Sequence, residues 1–193
     1  MIYIIRHGQT DWNLEKKMIG QIDVPLNQTG KEQAKQSIKQ LTSLKIDEII
    51  SSDLIRTKET ANIINTALHL PISFDARLRE RNYGDLEGIS EKDISQETWS
   101  IFNKDPHTMH AESPEDLYKR VKSFFNEVDP SKNILVVTHS GVLRMAMLLL
   151  QHPRLFSKKA FLTAQQFRAK NAMAFKWDAV GLSEYISSAQ KVR

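Results

Sequence analysis

The chain has no cysteine among its 193 residues. That excludes disulfides, cysteine-ligated zinc, iron–sulfur clusters and a cysteine nucleophile, and it is compatible with a reducing compartment. Long apolar runs are missing too. The longest, Met145-Ala146-Met147-Leu148-Leu149-Leu150, falls far short of the ~20 residues that span a bilayer as a helix. The opening Met1-Ile2-Tyr3-Ile4-Ile5-Arg6 has no basic leader, and its apolar stretch is too short for a signal peptide. There is no internal repeat and no low-complexity linker. The expectation is a cytoplasmic protein without a membrane partner.

What is present is ordinary for a globular protein. Apolar residues make up 40% and charged residues 26%, which disfavours disorder and fibrous composition. The length suits one domain over residues 1–193, large enough to bury a core without staples. Lys and Arg number 27 against 23 Asp and Glu, a formal net charge of +4. The basic residues are scattered among acidic neighbours rather than gathered into a stripe, so no nucleic-acid partner is read from them. A mildly positive protein does suit a small anionic substrate.

Short apolar runs alternate with amphipathic patterns. Ile2-Tyr3-Ile4-Ile5, Glu48-Ile49-Ile50-Ser51 and Ile134-Leu135-Val136-Val137-Thr138 read as strands covered on both faces. Thr29-Gly30-Lys31-Glu32 matches a capping box, with Ala34, Ile38 and Leu41 on one helical face. Residues 53–68 place Leu54, Thr57, Ala61, Ile64 and Leu68 at helical spacing. Ser113-Pro114-Glu115-Asp116 opens another helix, whose apolar face is Leu117, Val121, Phe124 and Val128. Residues 141–150 form a more buried one, Met173-Ala174-Phe175-Lys176-Trp177 adds a late strand, and Leu182, Tyr185, Ile186 and Ala189 have helical spacing. The alternation predicts an α/β fold, a three-layer α/β/α sandwich with a mostly parallel central sheet. Residues 89–111 are more polar and irregular, and read as an insertion or lid.

The first strand runs into Arg6-His7-Gly8-Gln9-Thr10, and ligands of open α/β sheets bind beyond the carboxyl ends of strands. His139 ends the strand 134–138 in the same way, with Gly141 close behind. Two strand ends thus bring two histidines to one sheet edge. The other histidines (His69, His107, His110 and His152) have no such context and read as structural or surface groups. Asp11 four residues after His7 raises a metal site, but Gly8 breaks helical geometry there and Arg6 would repel a cation. No metal is assigned. Arg56 lies about one turn into the helix after the strand 48–51, near the same edge, and guanidinium groups bind phosphate bidentately. In Leu78-Arg79-Glu80-Arg81-Asn82-Tyr83-Gly84-Asp85-Leu86-Glu87-Gly88, a turn-rich loop, either Glu80 or Glu87 could supply an acid; spacing does not choose between them.

With Arg6-His7-Gly8-Gln9-Thr10-Asp11-Trp12-Asn13, the sequence resembles the histidine phosphatase superfamily, the phosphoglycerate mutase-like proteins. The likeness continues through Gly20-Gln21-Ile22-Asp23-Val24-Pro25-Leu26, the Thr29-Gly30 helix start, Ser51-Ser52-Asp53-Leu54-Ile55-Arg56-Thr57, the 80–88 loop and Thr138-His139-Ser140-Gly141-Val142-Leu143-Arg144. It reaches to about residue 177 with the motifs in order. The resemblance implies a phosphohistidine nucleophile at His7, a phosphate pocket of Arg6, Arg56 and His139, and Glu80 as proton donor. It sets Thr10, Asn13, Gly20 and Ser140 near the bound phosphate, although Thr10 could instead cap local backbone and Asn13 stabilise the loop. Phosphoryl transfer needs positioning and charge stabilisation above all. Two arginines can supply that charge, so no metal or other cofactor is required.

Phosphatases and mutases of this kind share the phosphohistidine step. The resemblance implies that cofactor-dependent mutases carry a longer, more basic segment between the acid and the second histidine. Here that segment is short and holds Glu91, Asp93, Glu97, Glu112, Glu115 and Asp116. The 78–88 loop is also similar to that of family phosphatases. Both features favour a phosphatase for small phosphate monoesters over a phosphoglycerate mutase. A non-catalytic phosphate-binding relative would lack the nucleophile or the acid, and both are present. Ala111, before Glu112-Ser113, stands where many relatives have glycine. The sequence assigns neither the leaving group nor an oligomeric state.

Overall fold

A computed structural model of the protein describes residues 1–151, 156–157, 161, 170–172, 174–178 and 181–184. Its strands are β1 (Ile2–Arg6), β2 (Glu48–Ser51), β3 (Ile72–Phe74), β4 (Ile134–Thr138), β5 (Ala174–Asp178) and β6 (Gly181–Glu184). Its α-helices are α1 (Asp11–Leu14), α2 (Gln28–Leu41), α3 (Ile55–Leu68), α4 (Gln96–Lys104), α5 (Pro114–Glu127) and α6 (Ser140–Gln151). The strands form one sheet in the order β3-β2-β4-β1-β5-β6. The first four are mutually parallel, and β5 runs antiparallel to both β1 and β6.

Strand alternation divides the core into two layers. Ile4, Ile134 and Val136 face α5 and α6, packing with Tyr118, Val121, Val142 and Ala146. Tyr3, Ile5, Ile49, Leu135 and Val137 face the other way, against Leu41 of α2 and Ala61 and Ile64 of α3. β4 is buried along its whole length, as a strand covered on both faces must be. The fold is the expected α/β/α sandwich. Neighbouring β1 and β4 send the chain to opposite faces, β1 toward α2 and β4 into α6. This is the topological switch point at which α/β sheets open a crevice.

Local details depart from the sequence reading. The N-cap of α2 is Asn27, not Thr29: its side chain accepts from the Gly30 N–H at 2.9 Å. Asn27 is held there by its own N–H on the Gln9 carbonyl, so a long-range contact overrides the local capping box. α3 begins at Ile55, whose N–H donates to the Asp23 carboxylate, while the Asp53 carboxylate is taken by Arg79. Residues 89–111 are more ordered than their polarity suggests. They hold two 3-10 turns around α4, which Ser95 caps, and their Ile94, Phe102 and Ala111 form a satellite core with Met18 and Leu86. Leu182 lies in strand β6 rather than in a helix; Tyr185, Ile186, Ala189, His152 and Met173 lie outside the described residues. Among the described residues no helix is long and apolar enough to cross a membrane.

One close approach fixes how the loop after β1 meets α2. A Cβ on Gly8 would collide with the Gly30 carbonyl, and a Cβ on Gly30 with the Gln9 carbonyl. Both obstacles are backbone, which cannot rotate away. Gly30→Ala should therefore lower stability by about 1–3 kcal/mol, outweighing any gain in helix propensity. A urea titration checks this: the midpoint should fall, and an unchanged or raised midpoint would contradict the contact.

Candidate active site

The parallel register pairs Arg6 with Thr138, and the His7 N–H continues the ladder onto the Thr138 carbonyl at 2.9 Å. His7 and His139 therefore emerge side by side, ring centroids 5.1 Å apart. Both are buried. The neighbouring β2 ends in the same layer, and Ser52, just past it, shares a 2.9 Å hydrogen bond with His139 Nε2. The strand-end rule that picks out the histidines would also have found Ser52.

His7 Nδ1 lies 2.7 Å from the Gly8 carbonyl oxygen. A carbonyl only accepts, so Nδ1 carries the proton and Nε2 keeps the lone pair. Burial first, then the charges of Arg56 and Arg6, holds the His7 pKa well below 6.5. The ring is thus neutral at physiological pH, with a fixed tautomer. His139 is lowered too, by burial, then Arg56 and His7.

Arg56, in the first turn of α3, is fully buried. Its Nη1 donates to the Ile22 carbonyl at 2.9 Å and its Nη2 to the Gly20 carbonyl at 2.7 Å. Gly20 can turn its carbonyl inward because it adopts a φ of +53°, and Glu87 fills the space a Cβ would need. Burial lowers Arg56 to about 10, so it remains a cation at neutral pH. Arg56 Nε and His139 Nδ1 are buried without a hydrogen-bond partner among the described residues. Such orphans cost about 1–3 kcal/mol each unless a ligand meets them.

Glu80 lies at the N-terminus of α6. Its carboxylate accepts from the Gly141 N–H at 3.0 and 3.1 Å and from the Arg81 N–H at 2.9 Å. A Cβ at Gly141 would run into it. The loop behind it is clamped by Arg120 of α5, which donates to the carbonyls of Arg77, Arg79 and Glu80 at 2.7, 2.8 and 2.9 Å and pairs with Glu112. Glu87 instead ties two loops together, accepting from the Gln21 and Tyr83 N–H groups at 2.9 and 3.0 Å.

Arg6, His7, Arg56 and Glu80 meet in the wall of a cavity of about 420 Å³, whereas His139, fully buried beside the His7 ring, is not part of that wall. Asn13, Gly20 and Ser140 also line it. Thr10 is not brought to that wall: it caps α1 in a reciprocal pair with Asn13. The wall also includes Arg81, Trp99, Asn103 and Arg144, which the sequence reading did not select. Arg144 follows β4 into α6 as Arg56 follows β2 into α3, so the same reasoning would have found it. Arg81 stacks over Phe102, 4.7 Å from its centroid. Of the remaining histidines, His107 and His110 are exposed partners of Asp116 and Asp85, and His69 ends α3.

Residues 2–166 match the histidine phosphatase superfamily, branch 1. The uncharacterized phosphatase PhoE of Bacillus subtilis is 36% identical over 145 residues, 74% of this chain and 72% of that protein. Phosphoglycerate mutase-like protein 4 of Arabidopsis thaliana is 36% identical over 155 residues, covering 74% and 67%. Among solved structures, a mycobacterial glucosyl-3-phosphoglycerate phosphatase in complex with VO3 superposes with a TM-score of 0.77 at 27% identity, covering 90% of each chain. On its sequence and its fold, this chain belongs to branch 1 of the histidine phosphatase superfamily.

Proposed function

We propose that the protein hydrolyses small phosphate monoesters without a metal, through a phosphohistidine on His7. The observation that carries this reading is the His7 Nδ1 contact with the Gly8 carbonyl, which leaves Nε2 of a neutral ring as the nucleophile. The phosphoryl group is held by Arg6, Arg56 and His139, where the buried Arg56 Nε and His139 Nδ1 find oxyanion partners. Asn13, Gly20 and Ser140 border the same place. Thr10 acts on it only through its cap with Asn13.

Nε2 attacks phosphorus in line while the bond to the leaving oxygen breaks. Glu80, in its protonated state, gives its proton to that oxygen. In the second half-reaction it takes a proton from the water that attacks the phosphohistidine. Inorganic phosphate leaves and neutral His7 is restored. Residues 89–111, which place Trp99, Phe102 and Asn103 on the wall, form the lid over the leaving group. The cations at the phosphoryl end do the work that a metal does elsewhere.

The mutase reading is favoured by similarity to proteins with mutase names: phosphoglycerate mutase-like protein 4, and the probable phosphoglycerate mutase GpmB of Salmonella, 40% identical over 151 residues. The short, acidic segment between Glu80 and His139 favours the phosphatase, as does the similarity to PhoE.

Hydrolysis of p-nitrophenyl phosphate in EDTA tests the proposal. His7→Ala should abolish release. Glu80→Gln should slow turnover of alkyl phosphates by about 10²–10⁴-fold and affect activated aryl esters less, because their leaving groups need no proton. Activity that requires a metal or survives His7→Ala would overturn it, and transfer between phosphoglycerates without hydrolysis would favour the mutase.

The His7 environment also sets a pH dependence. Because its pKa is lowered, the neutral nucleophile persists as pH falls through 6.5 and is lost only well below. The rate of His7 phosphorylation, corrected for ionisation of the ester, should stay level across pH 6.5. An acid limb centred at or above 6.5 would contradict the assignment.

A further inference from the structure

The carbonyl that fixes the His7 tautomer belongs to the Gly8–Gln9 peptide. The N–H of that same peptide, on Gln9, donates to Gln33 Oε1 at 2.9 Å. One peptide group therefore links a side chain of α2 to the proposed nucleophile. Gln33 accepts at its nitrogen end, and His7 Nδ1 donates at its oxygen end at 2.7 Å.

The peptides on either side of it are held by other partners. The preceding His7–Gly8 peptide donates its N–H to Thr60 Oγ1 at 3.1 Å, and Thr60 in turn donates to the Arg56 carbonyl at 2.7 Å. The Gln9 carbonyl accepts from the Asn27 N–H at 3.0 Å. The mutual approach of Gly8 and Gly30 lets the loop lie against the first turn of α2, within reach of Gln33 on the next turn.

Gln33 does not serve α2 itself. That helix is capped by Asn27 and packs through Ala34, Ser37 and Leu41. Its side-chain oxygen instead leaves the helix for a peptide whose N–H has no other acceptor among the described residues. Hydrogen bonds in series polarise one another, and the partner of one imidazole nitrogen orients the ring and sets the basicity of the other.

We propose that Gln33 is a positioning residue for the nucleophile: through the Gly8–Gln9 peptide it holds the Gly8 carbonyl on His7 Nδ1 and keeps the lone pair on Nε2. This rests on the phosphohistidine reading of His7. Gln33 touches neither substrate nor phosphorus.

The test compares Gln33→Leu, which removes the acceptor at similar volume, with Gln33→Glu, which keeps one. Three quantities are read: the His7 tautomer by nitrogen NMR, the rate of His7 phosphorylation by p-nitrophenyl phosphate, and inhibition by inorganic phosphate. In Gln33→Leu the Nε2–H tautomer should appear and phosphorylation should slow by about 10- to 100-fold, with phosphate inhibition unchanged. Gln33→Glu should restore both tautomer and rate. The proposal is overturned if Gln33→Leu keeps the Nδ1–H tautomer and the wild-type rate. It is also overturned if both variants lose rate and phosphate affinity together, which marks a merely structural role. Gln33→Met tests the same loss of an acceptor should the leucine variant not fold. If the wild type forms no phosphohistidine, the reading of His7 fails, while the tautomer comparison still decides whether Gln33 sets the ring.

Discussion

The hydrogen bond from His7 Nδ1 to the Gly8 carbonyl is the constraint on which the rest of the site depends. An imidazole has two nitrogens, and only one can act as the nucleophile we propose. Committing Nδ1 to a backbone oxygen leaves Nε2, and burial beside two arginines keeps the ring unprotonated. The backbone that does this is itself held. Gly8 lies against Gly30 where neither tolerates a side chain, and the flanking peptides are bonded to Thr60 and Gln33. The chemistry of one ring thus rests on the packing of the loop after β1 against α2 and α3.

The second demand is electrostatic. Burying a guanidinium is costly unless its donors are met. Arg56 meets that cost with two carbonyls, of Gly20 and Ile22, turned inward by a left-handed glycine. No carboxylate is hydrogen-bonded to Arg56 among the described residues, so its charge stays available to an anion. Among the described residues its Nε and His139 Nδ1 have no partner. In the same cavity wall the Glu80 carboxylate is set on the N-terminus of α6 and backed by Arg120.

Much of this was legible in the sequence because strand ends are local signals. The runs 2–5 and 134–138 point to parallel buried strands, and parallel strands in register must present His7 and His139 together. Arg56 followed from its place one turn after a strand. Composition and periodicity could not separate Glu80 from Glu87: both sit in a loop, and their difference lies in long-range partners, the N-terminus of α6 for one and the Gln21 and Tyr83 amides for the other. The same limit explains why Asn27 rather than Thr29 caps α2, and why Gln33 and Thr60 drew no notice. Their contacts cross 24 and 52 residues of sequence. Helix α4 escaped because it is only nine residues long with an exposed Ile101, too short for periodicity to declare itself.

Trapping the enzyme during turnover and locating the phosphoryl group tests the central claim most directly. Phosphorus NMR and mass spectrometry of the rapidly quenched protein, kept at alkaline pH, should find it on His7, attached to Nε2. Phosphorylation at Nδ1 or on another residue would contradict the account, as would turnover without any phosphohistidine.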